Sequence, residues 1–140
     1  MDAKQLIKEL QTIPKMIKTL EEDREATLSL VYSPNSYSDT RVQTSKTNAQ
    51  EAKTVAYLDR SDYLVKQIEL LHEKRQRLLE YVYAVKDMNL VMVLFAIINS
   101  QTLTEAQDRL DIGRSKFFRE KKQAMNALDE VLNQTEKAPA

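Results

Sequence analysis

Five cationic side chains fall within nine positions, Arg114 to Lys122, in the stretch DIGRSKFFREKKQ, opposed only by Glu120. Elsewhere the chain is balanced: Lys and Arg together number 21, as do Asp and Glu, so any pull on a polyanion must be local rather than global. Guanidinium and ammonium groups do two kinds of work on a duplex. They pair with phosphates, which positions a protein, and Arg makes bidentate bonds to the O6 and N7 edge of guanine, which specifies a sequence. Two adjacent aromatics, Phe117 and Phe118, and the single glycine, Gly113, accompany the cations.

On a wheel of about 100° per residue, Phe117, Ala124, Leu128 and Val131 share one line, and Phe118, Met125 and Leu132 widen that stripe. Ser115, Arg119 and Lys122 lie opposite, with Lys116 and Gln123 toward the edges. The pattern predicts both phenylalanines on the core side and most cations outward. Arg114, Ser115, Lys116 and Arg119 are placed to read bases, whereas Lys122, Lys121 and Arg109 suit phosphates. Lys121 falls inside the apolar stripe and must snorkel past its edge. The competing reading is a solvated basic face over an ordinary core.

Such a surface needs elements to aim it. TLTEAQDRL precedes it, and the spacing predicts a short helix from Glu105 to Leu110, with Thr104 as cap and Gln107 completing a capping box. Asp-Ile-Gly then turns the chain, and a last helix runs from Arg114 to Asn133. Short helix, tight turn and basic helix make a helix-turn-helix, whose second helix enters the major groove. Before it, MNLVMVLFAII is apolar all round, and a helix without a polar face belongs in a core.

Upstream, two seams repeat in alternating steps of four and three, the pattern of packed amphipathic helices. The first is Leu6, Leu10, Ile13, Ile17, Leu20, Arg24, Thr27, Val31, with a kink or break expected at Pro14. The second is Tyr57, Ser61, Leu64, Ile68, Leu71, Arg75, Leu78, Val82, Val85; a helix from Ala49 to Val85 would be about 55 Å long unless Ser61 caps a break. Arg24 and Arg75 at seam positions either snorkel or set register across an interface. Between the seams, residues 32–50 are rich in Ser, Thr, Asn and Asp and read as an exposed loop.

The chain is therefore expected to be all-α. Residues 1–86 form a long helical hairpin or coiled-coil arm that oligomerises, residues 87–133 a DNA-binding helix-turn-helix domain, and residues 134–140 a flexible tail. One Gly and no Asn-Gly or Asp-Gly pair argue against hairpin sheets. Absent cysteine excludes disulfides and thiolate metal sites. The longest apolar run, Leu90 to Ile98, is far below the roughly 18 to 20 residues of a membrane span, and MDAKQLIKEL does not read as a signal peptide; a soluble cytoplasmic protein is expected. His72 is alone, no hydroxyl has a base beside it, and no phosphate-binding glycine motif occurs, so neither enzyme, metal nor cofactor is expected.

From MNLVMVLFAIINS to the end of KKQAMNALDEVL, the chain resembles the fourth region of sigma-seventy-type factors. With SYSDTRVQTS upstream, it resembles the ArpU and RinA group of phage late transcriptional regulators and their relatives in phages of lactococci and streptococci. The resemblance implies a DNA-binding activator of late phage genes working with host RNA polymerase in the bacterial cytoplasm. It also implies that recognition positions fall on Arg114, Ser115, Lys116, Phe118 and Arg119. Gln107 and Asp111 depart from the pattern, standing where alanine and glycine are common. One reading helix makes few contacts, so a homodimer on paired half-sites, or recruitment by polymerase, is expected. Two alternatives are a small-terminase-like packaging protein, which usually places its DNA-binding part first, and a helical adaptor without a DNA role.

Overall fold

The computed structural model describes residues 1–32 and 44–137. Among these residues it consists of helices alone: α1 (Ala3–Val31), α2 (Thr44–Tyr83), α3 (Met88–Ile98), α4 (Leu103–Leu110) and α5 (Arg114–Lys137). The all-α expectation holds. No helix among them is long and apolar enough to cross a membrane. Most of the expected loop, including much of SYSDTRVQTS, and the last three residues of the expected tail lie outside the described residues.

Burial follows both seams without exception. Leu6, Leu10, Ile13, Ile17 and Thr27 are buried on α1, Ser61, Leu64, Leu78 and Val82 on α2, and Val85 just beyond it. The remaining seam residues, Arg24 and Arg75 among them, are half-buried. The helices do not break at Pro14 or at Ser61, where the spacing left one helix or two open. α1 continues through Pro14, whose side is exposed, and α2 continues through Ser61. Proline removes one donor, but a long helix with a packed face tolerates one lost bond.

The chain divides into two compact units. One comprises Met1–Pro14 and Glu73–Ala140, the other Lys15–His72. The division in α1 falls at the residue lacking an N–H. The sequence places a boundary after residue 86; the observed unit that holds α3, α4 and α5 also takes in the first turns of α1 and the end of α2.

Within Lys15–His72 the two helical segments meet through Arg24, whose Nε donates to Ser61 Oγ at 3.1 Å, and through Asp23 with Arg60 at 2.8 Å. Ser61 thus serves as a seam hydroxyl facing an arginine rather than as a cap. This unit buries little: Ile17 and Leu64 are its buried apolar residues among those described, while Met16, Val55, Leu58, Tyr63 and Leu70 stand exposed.

The other unit has the deeper core. Leu6 and Leu10 of α1, Val82 of α2, Val93 and Leu94 of α3, and Phe117 and Leu128 of α5 are its largest fully buried side chains. Asp129 Oδ1 accepts from the Ala3 N–H at 2.7 Å and so satisfies an orphan donor at the start of α1. Asp87 caps α3, accepting from Asn89 N–H at 2.9 Å. α3 is not enclosed all round as its composition suggests. Val91, Val93, Leu94, Ala96, Ile97 and Ile98 are buried, but Met88 and Met92 are 69% and 55% exposed.

Three boundaries differ from expectation. α2 begins at Thr44, since Ala49, Gln50, Glu51 and Ala52 are strong helix formers and propagation backward from a formed helix is inexpensive. α5 continues to Lys137, so residues 134–137 are helical rather than a tail. α4 is capped by Thr102, not Thr104: Thr102 Oγ1 accepts from Glu105 N–H at 3.1 Å, and Glu105 Oε2 accepts from Gln101 N–H at 3.0 Å. Both threonines have a partner three residues on, but Glu105 brings a full negative charge to the N-terminal turn and Gln107 does not.

Candidate functional site

α4, a short turn and α5 hold the basic stretch. α4 ends at Asp111, which adopts the left-handed conformation (φ 52°, ψ 48°), the backbone state that Asp tolerates better than most residues. Gln107 Nε2 donates to the Ile112 carbonyl at 3.3 Å, tying the turn to the preceding helix. An alanine there could not make this bond. Gly113 has no positive φ, and a Cβ built on it meets nothing within 4 Å. Its carbonyl accepts from Phe117 N–H at 2.9 Å, which makes it the residue from which α5 springs.

Phe117, Ala124 and Leu128 are wholly buried and Leu132 nearly so, fixing the rotation of α5 about its axis. Opposite them Ser115, Arg119 and Lys122 share one face by their spacing, and all three are exposed, as are Arg114 and Lys116. Arg114, Lys116, Arg119 and Lys122 form no ion pair among the described residues. Four uncompensated positive charges in three turns of one helix make a local positive field on a neutral chain. Arg109 differs: its Nη2 lies 3.3 Å from Glu105 Oε1, so its charge is already answered. The Gln101 backbone N–H and the Arg109 guanidinium hold the Glu105 carboxyl below the usual carboxylate range.

Phe118 departs from its expected place. It sits at the margin of the apolar stripe and is 42% exposed rather than packed in the core. Its ring meets Phe117 edge-on at 5.4 Å, and carries Arg114 Cζ at 5.6 Å and Lys121 Nζ at 5.8 Å. Such stacking restrains two long cations at a partly wet ring. Lys121 is half-buried, as snorkelling past the stripe requires. The wheel alone could not separate the two rings, because an angle near the stripe margin leaves burial to be decided by what the neighbouring helices cover.

Among the described residues no group of three His, Cys, Asp or Glu side chains converges to hold a metal. His72 is exposed on α2. No family model, curated protein or solved structure matches the chain.

Proposed function

We propose that the protein is a sequence-specific DNA-binding transcription regulator, with α4, the turn and α5 as its helix-turn-helix and α5 as the reading helix. The observation that carries the reading is the pairing of two opposite faces on α5. Phe117 and Leu128 anchor one, and Arg119 and Lys122, with Lys116 at the edge, leave the other with exposed charge that forms no ion pair among the described residues. Ser115 and Arg119 address base edges together with Arg114 and Lys116, while Lys122 and Lys121 address phosphates; Arg109 contributes least, being held by Glu105.

The resemblance to the ArpU and RinA group extends the proposal to activation of late phage genes with host RNA polymerase. A homodimer formed through the helical arm supports two half-sites. The thin core of Lys15–His72 and its exposed Val55, Leu58, Tyr63 and Leu70 favour a second copy as the source of missing burial.

Two measurements test this. Light scattering and dilution-dependent melting should report a dimer whose Tm rises with protein concentration. Footprinting on the phage genome that encodes the chain, with and without polymerase, should protect a discrete site. A monomer at all concentrations sinks the dimer, and no protection at low salt sinks the regulator.

A further inference from the structure

An open groove of about 600 Å³ runs between the first turns of α1 and the edge formed by α4 and α5, all within one compact unit. Ile7, Ile97 and Met125 give it an apolar floor, with Leu103, 38% exposed, at one side. Three ammonium groups rim it: Lys4, Lys8 and Lys121. No carboxylate and no aromatic ring lines it. Lys4 and Lys8 are exposed one turn apart on α1, and none of the three lysines forms an ion pair among the described residues. Gln11 Nε2 donates to the Ile97 carbonyl at 2.9 Å, so a helix-end acceptor at the floor is already satisfied.

We infer that this groove docks an acidic amphipathic helix of a partner protein. The floor rewards apolar side chains at one helical face, and Met125 supplies a surface able to re-pack around them. The rim rewards carboxylates flanking that face, because three cations that form no ion pair among the described residues complement a negative ligand and repel a basic one. Nucleic acid fits poorly: phosphates gain nothing from an apolar floor, and no ring offers a base a stacking surface. A small fatty anion also fits poorly, since an open groove leaves much of its tail in water, whereas a docked helix brings its own satisfied backbone as a lid. Lys121 belongs to both surfaces, lining the groove while lying over Phe118. Lys4 and Lys8 belong to the groove alone. The inference therefore stands apart from the DNA reading and can fail independently of it.

The test uses the full chain and a fluorescein-labelled helical peptide with leucines along one face and glutamates on both flanks. A control peptide carries lysines in place of the glutamates. Anisotropy should show saturable binding of the acidic peptide, weakening with salt, and binding of the lysine peptide lower by about tenfold or more. Lys4→Glu with Lys8→Glu should weaken the acidic peptide by about tenfold or more while leaving duplex binding unchanged. Leu103→Ser should weaken the acidic peptide by removing an apolar contact beside the floor. Equal binding of the two peptides, an unchanged affinity in the lysine double variant, or no binding of the acidic peptide overturns the inference. So does a double variant that loses duplex binding and keeps the peptide, which would assign these lysines to nucleic acid.

Discussion

Arg119→Ala combined with Lys122→Ala probes the proposed reading face most directly. Both side chains are exposed and neither is ion-paired among the described residues, so their removal strands no partner and should change folding stability by less than about 0.5 kcal/mol. Arg119, if bidentate to a guanine edge, contributes about 1–3 kcal/mol of discrimination, a factor of about 5 to 150 in affinity for the cognate duplex. Lys122 on a phosphate contributes to every duplex alike and shows in salt dependence: each neutralised phosphate adds about 0.9 to the slope of log K against log salt.

With Arg114, Lys116 and Arg119 on bases, Lys121 and Lys122 on phosphates give a slope of about 1.8 per chain, or about 3.6 for a two-fold dimer. Between about 50 and 200 mM salt those slopes correspond to about 12-fold and about 150-fold losses, so the same titration reports how many of the proposed reading helices engage. Fluorescence anisotropy on the footprinted duplex and on a scrambled one measures both quantities. The single Arg119→Ala change should narrow the gap between the two duplexes; the single Lys122→Ala change should preserve the gap and lower the slope by about 0.9 per chain. Arg109→Ala, whose charge Glu105 already answers, should lower the slope less. A double variant that keeps wild-type affinity and slope refutes the assignment of this face.

Phe117→Ala should cost about 3–5 kcal/mol, since the ring is fully buried, whereas Phe118→Ala should cost about 1 kcal/mol through its exposed cation stacking; urea melts separate them, and equal losses would contradict the burial. Asp111→Val should destabilise by about 1–3 kcal/mol because a β-branched residue resists the left-handed conformation, while Asp111→Gly should be neutral or slightly stabilising. Glu105 has a folded pKa below its ordinary 4.5, so its contribution is fully present above that value and is lost as pH falls through the lowered one. Tm against pH should accordingly fall less steeply on the acid side in Glu105→Gln than in wild type, and identical acid limbs would count against the Gln101 and Arg109 contacts.

Helical periodicity is a local property, which is why both seams could be read from spacing alone. The seam positions turn inward even where the residue is polar: Ser61 is buried and Arg24 half-buried, and the two bond to each other across the helices. What spacing could not give is which surfaces meet. The Ala3 to Asp129 bond joins residues 126 positions apart, and no local pattern announces it. The same gap hid the groove at Lys4 and Lys8, whose positions look like any solvated helix face. It also misplaced the cover over α3, where composition implies burial all round but Met88 and Met92 are left outside.

The aim of α5 rests on residues with no proposed contact to DNA. Thr102 starts α4 and Asp111 ends it, its N–H returning to the Asp108 carbonyl at 3.2 Å, so the two caps fix the helix at eight residues. A cap at Thr104 would have shortened α4 by two residues at its start. The left-handed turn falls on Asp111 because the hydrogen bonds of α4 run out there, not because the chain's sole glycine lies nearby. Gln107 then holds Ile112, and Gly113 needs only to begin a helix. Relative to α4, therefore, the direction in which Arg119 projects is set by an aspartate and a glutamine. Changes at those two positions that break the turn should disturb duplex affinity while leaving every cation of the proposed reading face in place.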